Sequence, residues 1–324
     1  MLGGLLSLLS AVMFAYANAS MRRGVLRGTV MQAVAISLPV ALPPFLIGMA
    51  LTGGFALLWT FSWRSLGLLA LAGIIHFVLG RHCNYRATKA MGANLVAPVQ
   101  QFSLVVTLVL AVVWLGETFT VLRMIGIALV VIGPGLVLRR DKRAVAANGS
   151  SGYTPNLAEG YTFAILSAIG FGISPILIAE ALHVKTIGAG IAGGFVSYVA
   201  ATIALAVPLL LPGQWASVRT LDRTTGRWFV ISGIAIAMSQ MTRYMALAVA
   251  PVSVVTPIQR LTVVFQIYFG ALVNPEHEVF GERLILGTVI SLVGAVALSV
   301  SLDEVGSLIA LPQPLAAVLG WHWP

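Results

Sequence analysis

The chain has 324 residues, 59% of them hydrophobic and 9% charged, with a mean hydropathy of +0.97. A soluble domain carries about 25% charged residues, so this chain cannot cover a water-facing surface. That excludes a soluble enzyme, a nucleic-acid-binding domain and a disordered chain, and the net charge of +9 does not point to DNA. Apolar runs of about 20 residues, each enough to cross a hydrocarbon core of about 30 Å, predict an all-α integral membrane protein set in a lipid bilayer.

In chain order, ten spans are predicted near 2–20, 30–52, 65–87, 93–114, 121–138, 160–180, 188–211, 227–249, 252–273 and 283–301. The first has no basic residue before it and Arg22 and Arg23 after it, which reads as a retained helix and not a cleaved signal. Residues 139–159 open with Arg139-Arg140-Asp141-Lys142-Arg143 and continue in Ala, Gly, Ser and Asn, the composition of a flexible basic linker. It separates two five-helix units, 1–138 and 160–301. The tail, 302–324, holds Pro312, Pro314, Trp321 and Trp323 and suits a membrane interface. Cys83 is the single cysteine, so no internal disulfide forms.

The halves repeat each other. A shift of 159 puts Tyr85 on Tyr244, Ala87 on Ala246, Pro98 on Pro257 and Gln100 on Gln259. A shift of 157 puts Leu9-Ser10-Ala11 on Leu166-Ser167-Ala168 and Phe14 on Phe171. A shift of 161 puts Glu117 on Glu278, Phe119 on Phe280, Gly126 on Gly287 and Gly133 on Gly294. Five is odd, so the second unit enters the membrane from the opposite face, giving two inverted-topology repeats. The basic residues alternate accordingly, 13 on one face against 3 on the other. The positive-inside rule makes the richer face cytoplasmic, with the linker, and places both termini outside.

These residues carry a family resemblance. The stretch Tyr85-Arg-Ala-Thr, Ala97-Pro98, Leu115-Gly116-Glu117, Arg123 and Gly126 has a second copy in Tyr244-Met-Ala-Leu, Thr256-Pro257, Glu278, Arg283 and Gly287. Each half resembles one EamA-type unit of the drug/metabolite transporter superfamily, over roughly residues 2–301. The resemblance implies a ten-helix carrier that moves small metabolites, often outward, without ATP. Such carriers handle amino acids, sugar phosphates, nucleotide sugars and organic cations. This chain departs from the pattern by about two extra residues around Asn274-Pro275 and by three arginines at membrane depth. The family is commonly drawn with cytoplasmic termini, whereas the charges here argue the reverse.

No acid falls in mid-membrane, but basic and amide residues do. Ionisable groups at that depth belong in a bundle interior or a wet cavity. Arg81, Tyr85, Gln100, Gln101, Gln240, Arg243, Tyr244, Gln259 and Arg260 form the candidate substrate site, because repeat-equivalent positions converge on one pseudo-two-fold axis. Arginine forks match carboxylate and phosphate geometry, so the expected substrate is an anion or a zwitterion's carboxylate. Pro98 and Pro257 each leave a carbonyl unpaired and are candidate helix breaks. His76 and His82 are candidate proton-coupling groups, since histidine titrates near neutral pH. Other readings stay open: Arg81 and Arg243 snorkel to headgroups, the glutamines join helices, the histidines pack, and Glu117 and Glu278 brace hairpins or helix starts.

Two other classes compete. An intramembrane enzyme would use Ser174 and His183, but Gly172-Ile-Ser174-Pro175 lacks the second glycine of a nucleophile elbow. A channel would show a filter sequence, whereas an inverted repeat suits alternating access. The sequence therefore predicts a secondary transporter, not an enzyme. It carries a small polar metabolite, with amino acid export first and an organic-anion or sugar-phosphate exchanger second. No cofactor and no metal is expected. Partners are the substrate, the bilayer and protons, with no nucleic acid, in a monomer or weak homodimer.

Overall fold

The computed structural model describes residues 1–25, 28–91, 99–100, 102–138 and 156–273, with isolated positions between 286 and 323. Five helical stretches are long and apolar enough to cross a membrane: Leu2–Met21, Val30–Thr52, Trp63–Ala87, Leu157–Ala181 and Ile187–Leu209. Shorter apolar helices cover Phe102–Leu115, Val121–Ile132 and Val252–Phe265. The linker 139–155 and most of the tenth predicted span lie outside the described residues.

Helix α1 is Leu2–Val25. The second span is two helices, α2 (Val30–Val40) and α3 (Leu42–Thr52), which meet at Ala41. Pro39, Pro43 and Pro44 explain the break, since each removes a backbone donor from the helical ladder. Thr29 starts α2 with a reciprocal cap: Gln32 N–H donates to Thr29 Oγ1 at 3.2 Å and Thr29 N–H donates to Gln32 Oε1 at 2.7 Å. After the short α4 (Gly54–Leu58), the third span is α5 (Trp63–Gly73), a π-helical stretch at Ile74–Gly80 and α6 (Arg81–Met91). Helices α7 (Phe102–Leu115) and α8 (Val121–Leu138) close the first half.

The second half holds α9 (Leu157–Ala181), α10 (Ile187–Leu209), the short α11 (Gln214–Arg219) and α12 (Arg223–Val249). Asn156, Thr186 and Asp222 cap α9, α10 and α12 through their side chains. At 27 residues α12 is the longest of the helices, about 40 Å at 1.5 Å per residue. The ninth span is interrupted: α13 (Val252–Gln259) gives way to α14 (Thr262–Val273) at Arg260–Leu261. There Arg260 N–H bonds the Pro257 carbonyl at 2.9 Å, a tighter three-residue turn.

Helix α1 lies along α12 and touches α13 and α14, while α9 lies against α5, α6 and α7. Helix α10 packs between α5 and α12. Small residues permit this closeness. A Cβ on Gly73 of α5 would fall onto the Ser197 carbonyl of α10, and one on Gly194 of α10 onto the Phe45 ring. The main core centres on Phe45, Phe77, Tyr198 and Tyr244, each fully buried. One feature departs from a purely helical chain. Phe119–Thr120 pairs antiparallel with His322–Trp323 of the tail, Phe119 opposite Trp323.

Candidate functional site

The polar groups of the interior gather where the π-helical stretch, α6, α10, α12 and the break after α13 meet. Arg81 opens α6 and is 5% exposed. Its Nη1 donates to Ser37 Oγ at 3.3 Å, and its guanidinium sits 5.5 Å from the centroid of Phe77. It also approaches the Tyr198 hydroxyl without completing a hydrogen bond. Arg243 of α12 is 4% exposed. Its Nη1 donates to Gln240 Oε1 at 3.1 Å, one helical turn back. The same nitrogen lies 3.4 Å from both ring nitrogens of His76, a contact across the imidazole and not a single directed bond.

Aromatic rings fix this geometry. Phe77 stacks on Tyr198 at 4.2 Å between centroids, and Phe45 meets Tyr198 at 5.1 Å. His76 is held between Phe77 at 4.9 Å and Phe171 at 4.7 Å. The hydroxyls of Tyr198 and Tyr244, Nε of Arg243 and Arg260, and Thr256 Oγ1 are buried without a hydrogen-bond partner. A buried polar atom left unpaired costs about 1–3 kcal/mol, more when charged. Among the described residues no aspartate or glutamate is buried, so Arg81 and Arg243 have only neutral partners.

The other candidates fall in different places. Gln259 donates from Nε2 to Ser10 Oγ at 2.9 Å, tying α13 to α1. Gln100 donates to the Ala164 carbonyl at 3.3 Å, while its Oε1 is buried and unpaired. Tyr85 packs between two apolar clusters. His82, six residues on from His76, is exposed. Pro257 lies inside α13, three residues before the helix breaks. Pro98 and Gln101 lie outside the described residues.

The described acids serve at helix ends. Both oxygens of Glu117 accept backbone N–H groups at the start of α13, Val252 at 2.7 Å and Ser253 at 3.0 Å. Glu180 pairs with Arg64, and Glu159 with Arg86, each at 2.7 Å. Tyr198, Ser37 and Phe77 were not among the candidates from sequence. The available signal for Tyr198 was that it is the one tyrosine in a helix made mostly of glycine, alanine and aliphatic residues.

Ionisable groups inside a membrane bundle belong in its interior or in a wet cavity. Residues 1–139 match the model of the EamA-like transporter family. The first half of the chain is thus similar to the EamA-like transporter family. With five helices long and apolar enough to cross a membrane, this match marks an integral, multi-pass membrane protein. Among the solved structures that match, a crystal structure aligns with a TM-score of 0.64 and 14% identity, covering 91% of this chain and 95% of that chain. At that identity the likeness shows a shared fold alone. No curated protein matches its sequence.

Proposed function

We propose that this protein is a secondary carrier working by alternating access, with a small metabolite bearing a carboxylate or other anionic group as substrate. The observation that carries the reading is the pair of buried arginines, Arg81 and Arg243, held by neutral partners only among the described residues. An uncompensated buried charge costs several kcal/mol, and a bound carboxylate balances it. Arg243 is the central ligand in this reading. Arg81 and Arg260 complete the positive rim, and the hydroxyls of Tyr198 and Tyr244 orient the polar remainder. Export of an amino acid across the plasma membrane is the first substrate reading, its direction implied by the family. Three arginines favour a second reading, a dianion such as an organic acid or sugar phosphate.

Architecture supports the mechanism. The ten-span, two-repeat reading gains support from matched bonds: Ser10 Oγ donates to the Ser239 carbonyl at 2.8 Å, and Ser167 Oγ donates to the Gly80 carbonyl at 2.9 Å. Those residues stand 157 and 159 apart, the offsets of the first and third spans. The caps Ser62 and Asp222 are 160 apart but Tyr85 and Tyr244 are 159 apart. The π-helical stretch between Ser62 and Tyr85 absorbs that single extra residue. Contacts also join span ends that this reading assigns to one face, as in Arg64 with Glu180, Glu117 with Val252, and Phe119 with Trp323. By the positive-inside rule that face is the outer one.

The test is thermal stabilisation of the purified protein by a panel of amino acids, organic acids, sugar phosphates and cationic dyes. A stabilising carboxylate or phosphate is expected, with at least tenfold weaker binding in Arg243→Ala. Stabilisation by cations alone overturns the reading.

A further inference from the structure

The arginines at the start of α12 are not used by the central site. Arg223, Thr224, Arg227, Trp228 and Ile231 line an open cavity of about 510 Å³. The end of α1 packs beside this part of α12. A Cβ on Gly24 would collide with the Phe229 ring, and Ser232 Oγ donates to the Ala17 carbonyl at 2.8 Å, so the two helices are locked together here. That brings the Arg23 guanidinium to 5.2 Å from the centroid of Trp228. Arg223 and Arg227 are exposed and form no ion pair with a described residue. Asp222 stands beside them, but one of its oxygens accepts from Thr224 and Thr225 N–H at 2.7 and 3.0 Å, and the other accepts from the Thr225 hydroxyl.

The opposite end of the bundle offers a contrast, and this comparison alone rests on the two-repeat reading. There Arg64, in the first turn of α5, pairs with Glu180 at the end of α9 at 2.7 Å. A shift of 157 puts Arg23 in the place of Glu180. An acid that balances one end is replaced by a third arginine at the other. Three arginines and the positive end of α12 then face one aspartate. Below the arginines, Ile234 and Met238 continue the same face of α12 toward mid-membrane, 46% and 37% exposed. A soluble anion would use the arginines and leave this apolar strip unoccupied. A lipid fills both, its phosphate in the guanidinium forks and its acyl chains along the strip.

We propose that the cavity at Arg223, Arg227 and Trp228, flanked by Arg23, binds the phosphate of an anionic phospholipid. The probe is dioctanoyl phosphatidylglycerol added to the purified full-length protein in neutral detergent, with melting temperature as readout. Dioctanoyl phosphatidylcholine and inorganic phosphate are the comparison arms. The glycerol lipid is expected to stabilise wild type and Arg64→Gln alike, with little effect from the choline lipid. In the double variant Arg223→Gln/Arg227→Gln its half-maximal concentration is expected to rise at least tenfold. Should that variant not fold, Arg227→Gln alone is expected to raise it at least threefold. Equal stabilisation by both lipids, or an unchanged response in the variants, overturns the proposal. A full response to inorganic phosphate at the same concentration also overturns it, in favour of a soluble phosphate. Substrate binding measured in the same samples is expected to stay unchanged, which separates failure here from failure of the carrier reading.

Discussion

Gly73 allows a test in which one helix supplies both the perturbation and its control. On Gly73 a Cβ would overlap the Ser197 carbonyl and Cα of α10, which are backbone atoms that cannot rotate away. The same contact carries the bond from Ser197 Oγ to the Leu69 carbonyl at 2.6 Å. Gly73→Ala therefore forces α5 and α10 apart. Overpacking of this kind costs about 1–3 kcal/mol, and the loss of a buried hydrogen bond adds about 0.5–1.5 kcal/mol. The expected total is about 1.5–4.5 kcal/mol. Two turns earlier, a Cβ on Gly67 would meet nothing within 4 Å. Gly67→Ala only restricts the unfolded chain, a gain of about 0.4–1 kcal/mol. Melting of the two variants in one detergent is expected to move in opposite directions, separated by several degrees. If Gly73→Ala melts with or above Gly67→Ala, the packing of α5 on α10 described here is wrong.

Glu117→Gln keeps one acceptor for the start of α13 but loses the charge and the second bond. The carboxylate accepts at 2.7 and 3.0 Å, and charge-assisted bonds contribute about 1.5–3 kcal/mol, so a melting temperature lowered by a few degrees is expected. An unchanged value would mean that the cap does not hold α13. Tyr198→Phe removes a hydroxyl that is buried without a partner. Stability is expected to hold or rise by up to about 1 kcal/mol, while substrate affinity falls about threefold or more. Retained affinity would take Tyr198 out of the site.

Much of this protein was legible from composition and periodicity. The charge content of 9% excluded water as the main solvent, and of the helices predicted from long apolar runs the structure shows five that are long and apolar enough to cross a membrane. Inside the bilayer a backbone can satisfy its own donors and acceptors only as a helix or closed barrel, so helix positions follow from hydropathy. The family resemblance was visible too, because its proline, glutamate and glycine positions are fixed in order along the chain.

Partners across the bundle were not legible. Glu117 reads in sequence as a hairpin residue, and only the tertiary structure aims its carboxylate at Val252 and Ser253, 135 and 136 positions away. Tyr198 stood out locally only as a lone tyrosine, and its role depends on stacking against Phe77 of a distant helix. The breaks at Ala41 and at Arg260–Leu261 needed the structure as well, since a proline shows that a ladder is weakened but not at which residue it parts. Hydropathy acts through the solvent and is felt residue by residue, so sequence determines which segments are helical. Which arginine meets which ring depends on how helices pack, through contacts whose partners lie far apart in the chain. Those partners were decided by the tertiary structure.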